Sequence, residues 1–276
     1  MKQYILVYTR FTAISRNAVE YGCALAADRN YSVVLVHNYT PEMSYAADAI
    51  ALASMQYGIA DAEEQLVAEH ERAKTLFPSV DVQYLLTVGQ YADAVQAAMD
   101  KYPIHFLVTG APESGGDFWA FNDTFVDVIN DLPLPVLVIP MAVTYREAVN
   151  IGFACDYATP LDSKQIKFIE HLMESQAGAQ LHVIHVSVPG KLKEQVRQAN
   201  QEQLATALAR HNPKFANIVN NEVIASIIGY VRKQNIQLLL VIPHRHGLWF
   251  NIFNQSHTRR LTRINHLPIL ALQDTE

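Results

Sequence analysis

The sequence predicts an α/β protein in which a parallel-sheet domain is built twice over. Three observations carry this expectation. Short β-branched runs alternate with longer amphipathic stretches along the whole length, the pattern of parallel α/β domains rather than of a sandwich or a bundle. Several runs are continuously apolar, such as Val33-Val34-Leu35-Val36 and Val136-Leu137-Val138-Ile139, which suits strands covered on both faces. The series also reads twice. Ile5-Leu6-Val7-Tyr8-Thr9-Arg10-Phe11-Thr12 is mirrored by Ile151-Gly152-Phe153-Ala154-Cys155-Asp156-Tyr157-Ala158, and Leu132-Pro133-Leu134-Pro135-Val136-Leu137-Val138 by Asn265-His266-Leu267-Pro268-Ile269-Leu270-Ala271.

In order, the first half offers strands at Tyr4–Thr9, Ser32–His37, Val80–Thr87, His105–Thr109 and Pro135–Ile139. Between them the apolar spacing turns helical, over Ser15–Arg29, Ala46–Leu76, Tyr91–Lys101 and Thr124–Asp131. The second half repeats the series with strands at Asn150–Cys155, Gln180–Ser187, Phe215–Val219, Gln237–Ile242 and Pro268–Leu272. Its helical stretches are Leu161–Ser175, Gly190–His211, Val223–Lys233 and Gln255–Ile264. The boundary falls near Pro140–Tyr145, giving expected domains of 1–142 and 146–276.

Composition bounds what such a chain does. Its 276 residues are 50% hydrophobic and 17% charged, enough apolar material for one large or two ordinary cores, so disorder is excluded as the main state. No stretch approaches the roughly 18 apolar residues of a membrane span, and the apolar run after Met1 is too short for a signal peptide, so a soluble cytoplasmic protein without membrane contact is expected. Cys23 and Cys155 fit neither a disulfide framework nor a metal-ligand spacing and read as reduced, buried small hydrophobes. The net charge of -6 is uneven, because residues up to Thr144 hold 7 Lys+Arg against 17 Asp+Glu and the remainder 14 against 10. The basic half has no Lys/Arg block and no interleaved aromatics, so a small anion fits better than a nucleic acid; ordinary solvated faces account for the asymmetry equally well.

These landmarks resemble the universal stress protein family, and the resemblance covers essentially the whole chain as a tandem pair of its domains. Ile5 to Ala18 looks like the family's opening strand and first helix, with its "TDFSENSxNA" flavour. Val34-Leu35-Val36-His37-Asn38-Tyr39 and His182-Val183-Ile184-His185-Val186 look like its second strand, commonly "LLHV". Gly89 with Ala92–Met99 resembles the opening of its third helix, while Leu107-Val108-Thr109-Gly110 and the Pro-x-Pro-Val-Leu-Val-Ile-Pro run ending at Pro140 resemble strands four and five. The resemblance implies two doubly wound five-stranded parallel sheets of order 3-2-1-4-5 with helices on both faces. Ligands of such sheets bind at the carboxyl ends of the strands where the order switches.

Members of the family that hold ATP carry an Asp after strand one and a Gly-x-x-Gly-x9-Gly-Ser/Thr stretch after strand four. Glycines let the backbone approach phosphates, and amides, hydroxyls and the next helix N-terminus receive their oxygens. The first copy departs from this pattern. Arg10 replaces the Asp, followed by Thr12, and after Gly110 the next two glycine positions hold Glu113 and Asp123 before Thr124. A carboxylate about 4 Å from a phosphate charge costs on the order of 4 kcal/mol at an effective dielectric near 20, so ordinary ATP binding is not expected there. Arg10 either pairs with Glu113 or Asp123 in an altered pocket or faces solvent at a strand end.

The second copy keeps Asp156 at the family's Asp position and ends its second strand on Val186. Its loop keeps Gly247 but has His244 and His257, followed by Thr258, where the first and last glycines and the hydroxyl fall; a one-residue gap makes the terminal pair Gln255-Ser256 instead. Around it stand His246, Arg245, Arg259 and Arg260, positive or neutral rather than acidic. The expected site therefore comprises Asp156, Val186, His244, Gly247, Ser256, His257 and Thr258, binding ATP, another adenine nucleotide or a small anion, with Arg10, Thr12, Gly110 and Thr124 as its degenerate first-copy counterpart. His244-x-His246 is also a chelating pair that His257 or His266 would have to join. With no Cys or acidic ligand at a matched spacing, a solvated basic loop is the simpler reading, and no metal is expected.

Enzymatic signatures are absent: there is no Gly-x-x-x-x-Gly-Lys-Ser/Thr loop, no Gly-x-Ser-x-Gly elbow and no His-Glu-x-x-His. The leading expectation is a non-enzymatic stress-response protein that requires no cofactor. Its domains would pair through their fifth strands, Pro135–Pro140 with Pro268–Gln273, as an internal pseudo-dimer. The alternatives are a ligand-free adaptor serving an unknown protein partner and, with less support, a weak nucleotide hydrolase. A homodimer of the whole chain stays open.

Overall fold

The computed structural model describes residues 2–41, 49–111, 132–157, 159–176, 178–188, 194–242 and 266–273. The chain divides into two compact units, the first holding residues up to 111 together with Leu134–Tyr145, the second running from Arg146 onward. No helix among the described residues is long and apolar enough to cross a membrane.

The first unit runs β1 (Tyr4–Tyr8), α1 (Ala13–Arg29), β2 (Ser32–Tyr39), α2 (Ala49–Leu76), β3 (Val82–Val88), α3 (Tyr91–Lys101), β4 (Ile104–Gly110) and β5 (Val136–Ile139). Its strands are parallel, in the order β3-β2-β1-β4-β5. Successive strand residues face opposite sides of a sheet, so the complete burial of Ile5, Leu6 and Val7 means that β1 is covered on both faces. β2 extends past the apolar run to Tyr39 because β3 supplies ladder partners as far as Val88.

Helix α1 starts where the Thr12 hydroxyl accepts from the Ser15 amide at 3.3 Å and the Ser15 hydroxyl accepts from the Thr12 amide at 3.0 Å. This reciprocal cap satisfies two amides that the first turn leaves open. Gly110 lets α1 close on β4, since a Cβ there would lie 2.4 Å from Ile14 Cγ2. An ion cluster joins α1 to α2. Arg72 donates to Glu20 at 2.6 Å and to Glu69 at 2.8 and 3.2 Å, and Glu69 is only 3% exposed.

The second unit runs β6 (Asn150–Ala154), α4 (Ser163–Ser175), β7 (Gln180–Ser187), α5 (Glu194–Ala207), β8 (Lys214–Val219), α6 (Val223–Lys233), β9 (Leu238–Val241) and β10 (Ile269–Ala271), with one 3₁₀ turn at Ala209–His211. All pairings are parallel, in the order β8-β7-β6-β9-β10. Counted within each unit, both sheets thus have the order 3-2-1-4-5 expected from the resemblance. Asp162 caps α4 by accepting from the Lys164 and Gln165 amides, both at 2.7 Å, and Gln165 Nε2 donates to the Gln273 carbonyl at 2.7 Å, tying the helix to the segment after β10. On β8, Phe215 and Val219 are exposed.

Most boundaries lie within two residues of expectation, although the helix expected to reach His211 ends at Ala207 and gives way to the 3₁₀ turn. β1 ends at Tyr8 rather than Thr9, and β6 at Ala154 rather than Cys155, because the chain turns into left-handed backbone at Phe11 and Tyr157. The helices expected at Thr124–Asp131 and Gln255–Ile264 lie outside the described residues.

Candidate functional site

The same turn is built at the carboxyl end of the first strand of each unit. In the first, Phe11 has φ 62°, its ring lies 4.5 Å from that of His37 at an interplanar angle of 43°, and His37 Nδ1 is 2.8 Å from the Thr9 carbonyl. In the second, Tyr157 has φ 56°, its ring lies 4.7 Å from that of His185 at 37°, and His185 Nδ1 is 2.9 Å from the Cys155 carbonyl. A bulky residue with positive φ is a genuine outlier and persists only where its surroundings hold it. Here the ring stack does so, helped by a bond from the turn's own amide: Phe11 to Thr9 Oγ1 at 3.2 Å, Tyr157 to Cys155 Sγ at 3.4 Å.

A histidine that meets a carbonyl through Nδ1 must carry its proton there when neutral, which leaves Nε2 as an acceptor. Burial pushes both imidazoles below their ordinary value, opposed by the carbonyl bond in each. Nearby cations push the same way, Arg10 on His37 and Arg197 of α5 on His185, while Asp156 opposes at His185. Helix α5 also reaches the turn directly, because Asn200 Nδ2 donates to the Tyr157 carbonyl at 2.9 Å.

Beyond this shared turn the units diverge. In the first, side chains tie the carboxyl ends of β1 and β2 to the turn between β3 and α3. Tyr8 donates to Asn38 Oδ1 at 2.7 Å, and Asn38 Nδ2 donates to Thr40 Oγ1 at 3.1 Å and to the Gly89 carbonyl at 3.0 Å. Thr40 donates to the same carbonyl at 3.1 Å, and Tyr91 packs edge-on against Tyr8 at 4.5 Å. Gly89 takes φ 130°, which a side chain would resist. Burial pushes the Tyr8 phenol up to about 12, so it stays a neutral donor. Strand register puts Ala154 at the place of Tyr8 and Val186 at that of Asn38, so no such network forms among the described residues of the second unit.

The expected site residues distribute as follows. Asp156 stands half-buried just past β6, and Val186 is buried near the end of β7. Arg10 is exposed beyond β1. Thr12 serves as the cap of α1, and Gly110 as its packing seat on β4. Thr124, His244, Gly247, Ser256, His257 and Thr258 lie outside the described residues, as do Glu113, Asp123 and His246. Among the described residues no three His, Cys, Asp or Glu side chains gather as metal ligands. Sequence reasoning passed over Tyr157, His185, Arg197 and Asn200. The aligned repeats carried a signal for the first two, since a tyrosine stands where the first copy has Phe11 and a histidine recurs at the same register.

The model of the universal stress protein family matches residues 1–140. No curated protein matches the chain. A universal stress protein from Archaeoglobus fulgidus shares the fold over 98% of this chain and 96% of its own, with a TM-score of 0.64 at 12% identity. A functionally unknown protein from Pseudomonas aeruginosa covers 98% of this chain and 92% of its own, with a TM-score of 0.52 at 13% identity. A universal stress protein solved in complex with cAMP is 24% identical, covering 51% of this chain and 98% of its own with a TM-score of 0.38; at that score its ligand remains a property of that protein. With residues 1–140 matched by the family's model, the chain belongs to the universal stress protein family.

Proposed function

We propose that this protein acts in a stress response by binding a small phosphorylated ligand, an adenine nucleotide first among candidates, in its second unit, and that it does so without catalysis. The observation that carries the reading is the asymmetry of the two first-strand ends. One is tied up by Tyr8, Asn38 and Thr40, linked by hydrogen bonds to one another and to Gly89. The other has Ala154 and Val186 at the first two of these positions and the half-buried carboxylate of Asp156 in place of Arg10. The crevice lies where a doubly wound sheet switches strand order, between β6 and β9. The sequence after β9 also carries the basic residues Arg245, Arg259 and Arg260.

Calorimetric and thermal-shift titrations of the full chain with ATP, AMP and inorganic phosphate test the reading, with Asp156→Ala as control. Saturable nucleotide binding that is lost in the variant supports it. No heat and no shift at millimolar ligand sinks it and leaves the adaptor reading, which the tied-up strand ends of the first unit favour there. Pairing of the two fifth strands belongs to the same proposal, and co-purification of separately produced halves tests it.

A further inference from the structure

We infer that the Tyr157 hydroxyl and His185 Nε2 together read the neutral, hydrogen-bonding end of a small phosphorylated ligand in the second unit, with Arg197 of α5 set to meet its anion. The inference deepens the binding reading above and rests on it.

The first unit serves as an internal control. Its turn has the same left-handed backbone, the same ring stack and the same histidine-to-carbonyl bond, yet it is completed by Phe11. Neither the turn nor the stack therefore needs a hydroxyl. In the second unit a hydroxyl is present all the same, on a side chain that is 2% exposed, and it has no hydrogen-bond partner among the described residues. A buried donor left unmet works against folding, so it calls for a partner that the described residues do not supply. His185, stacked on the same ring, is 7% exposed and uses Nδ1 on the Cys155 carbonyl, which leaves Nε2 to accept. One phenol that donates or accepts and one imidazole nitrogen that accepts suit a hydroxyl or amine of a ligand better than a phosphate.

The phosphate has its own partner. Asn200 fixes α5 against the Tyr157 carbonyl at 2.9 Å, and Arg197 lies one helical turn earlier on the same face. Its charge reaches His185. A guanidinium carried by the helix that meets the turn, together with two neutral hydrogen-bonding groups, matches a molecule with an anionic and a neutral end, such as a nucleoside monophosphate.

The test is calorimetric titration of the full chain with AMP, adenosine and inorganic phosphate, for the wild type and for Tyr157→Phe, Arg197→Gln and Phe11→Tyr. Tyr157→Phe is expected to raise the Kd for AMP and adenosine about tenfold, the worth of one hydrogen bond, and to leave phosphate unchanged. The ligand-free variant should melt no lower than the wild type. Arg197→Gln should weaken AMP and phosphate but not adenosine, and Phe11→Tyr should leave all three unchanged. Unchanged AMP and adenosine binding in Tyr157→Phe overturns this inference alone. So does a ligand-free melt lower by several degrees, which would make the hydroxyl a structural group. A wild type that binds none of the three overturns it together with the site it belongs to.

Discussion

If the strand ends of the first unit are closed by one hydrogen-bonded plug, its members must be energetically coupled, and Tyr8→Phe with Asn38→Val measures that coupling. Tyr8 is buried and its hydroxyl bonds Asn38 Oδ1 at 2.7 Å. Tyr8→Phe leaves that oxygen unmet in a side chain that is itself buried, at a cost of about 1–3 kcal/mol. Asn38 keeps its donations to Thr40 and Gly89, so a value near 2 kcal/mol is expected. Asn38→Val alone strands the Tyr8 hydroxyl at a similar cost, while the Gly89 carbonyl still receives the Thr40 hydroxyl. Making both changes removes donor and acceptor together, so the second change adds little to the cost of the first, and valine already occupies the matching position, Val186, in the second unit. The double variant should therefore lie within about 1 kcal/mol of either single, a coupling of roughly 1.5–2 kcal/mol. Scanning calorimetry fitted with one transition per unit reads this, with each single change lowering the first unit's midpoint by roughly 5–10 °C. Additivity of the two changes within about 0.5 kcal/mol would refute the plug.

The Glu69 carboxylate, buried and held by Arg72, should make Glu69→Gln lose about 2 kcal/mol in chemical denaturation, short of a fully buried pair because Arg72 keeps Glu20. Acid should weaken the fold: His37, His182, His185 and His266 are all held below the usual imidazole value, chiefly by burial. Below about pH 6.5 the unfolded chain takes protons that the folded one refuses, so stability should be full above that value and fall as pH drops toward the lowered folded values, as urea midpoints from pH 8 to 5 would report. Burial pushes both thiols up to about 12, so Cys23 and Cys155 should resist a thiolate-selective reagent at pH 7 in the native chain and react at once in guanidinium.

Much of the scaffold was readable before any coordinates. Continuous apolar runs such as Val33–Val36 become strands buried on both faces, and the repeated series becomes two sheets of one order. The site was less readable, for physical reasons. Nothing local marks Phe11 or Tyr157 for left-handed backbone, since bulky aromatics avoid it and only the distant His37 and His185 make it tenable. Tyr8 reads as one more strand residue until Asn38 and Gly89 are seen around it. Asn200 meets Tyr157 across 43 positions, a contact no sequence period reveals. Thr12 and Gly110 fitted a ligand motif in sequence but are engaged in starting and seating α1.

The place of β8 at the rim bears on how the second unit comes apart. It pairs with β7 and, like its counterpart β3 with Tyr84 and Val88, leaves large apolar side chains, Phe215 and Val219, in water. Local opening costs least where few apolar contacts are lost, so amide exchange in this unit should begin at the outermost rung and move inward. Asp156 and Tyr157 follow β6, two strands in, and His185 is on the inner neighbour β7. The strand that breathes first is thus not one that carries the candidate site, and the rim can exchange with solvent many times while the groups that would meet a ligand stay in place.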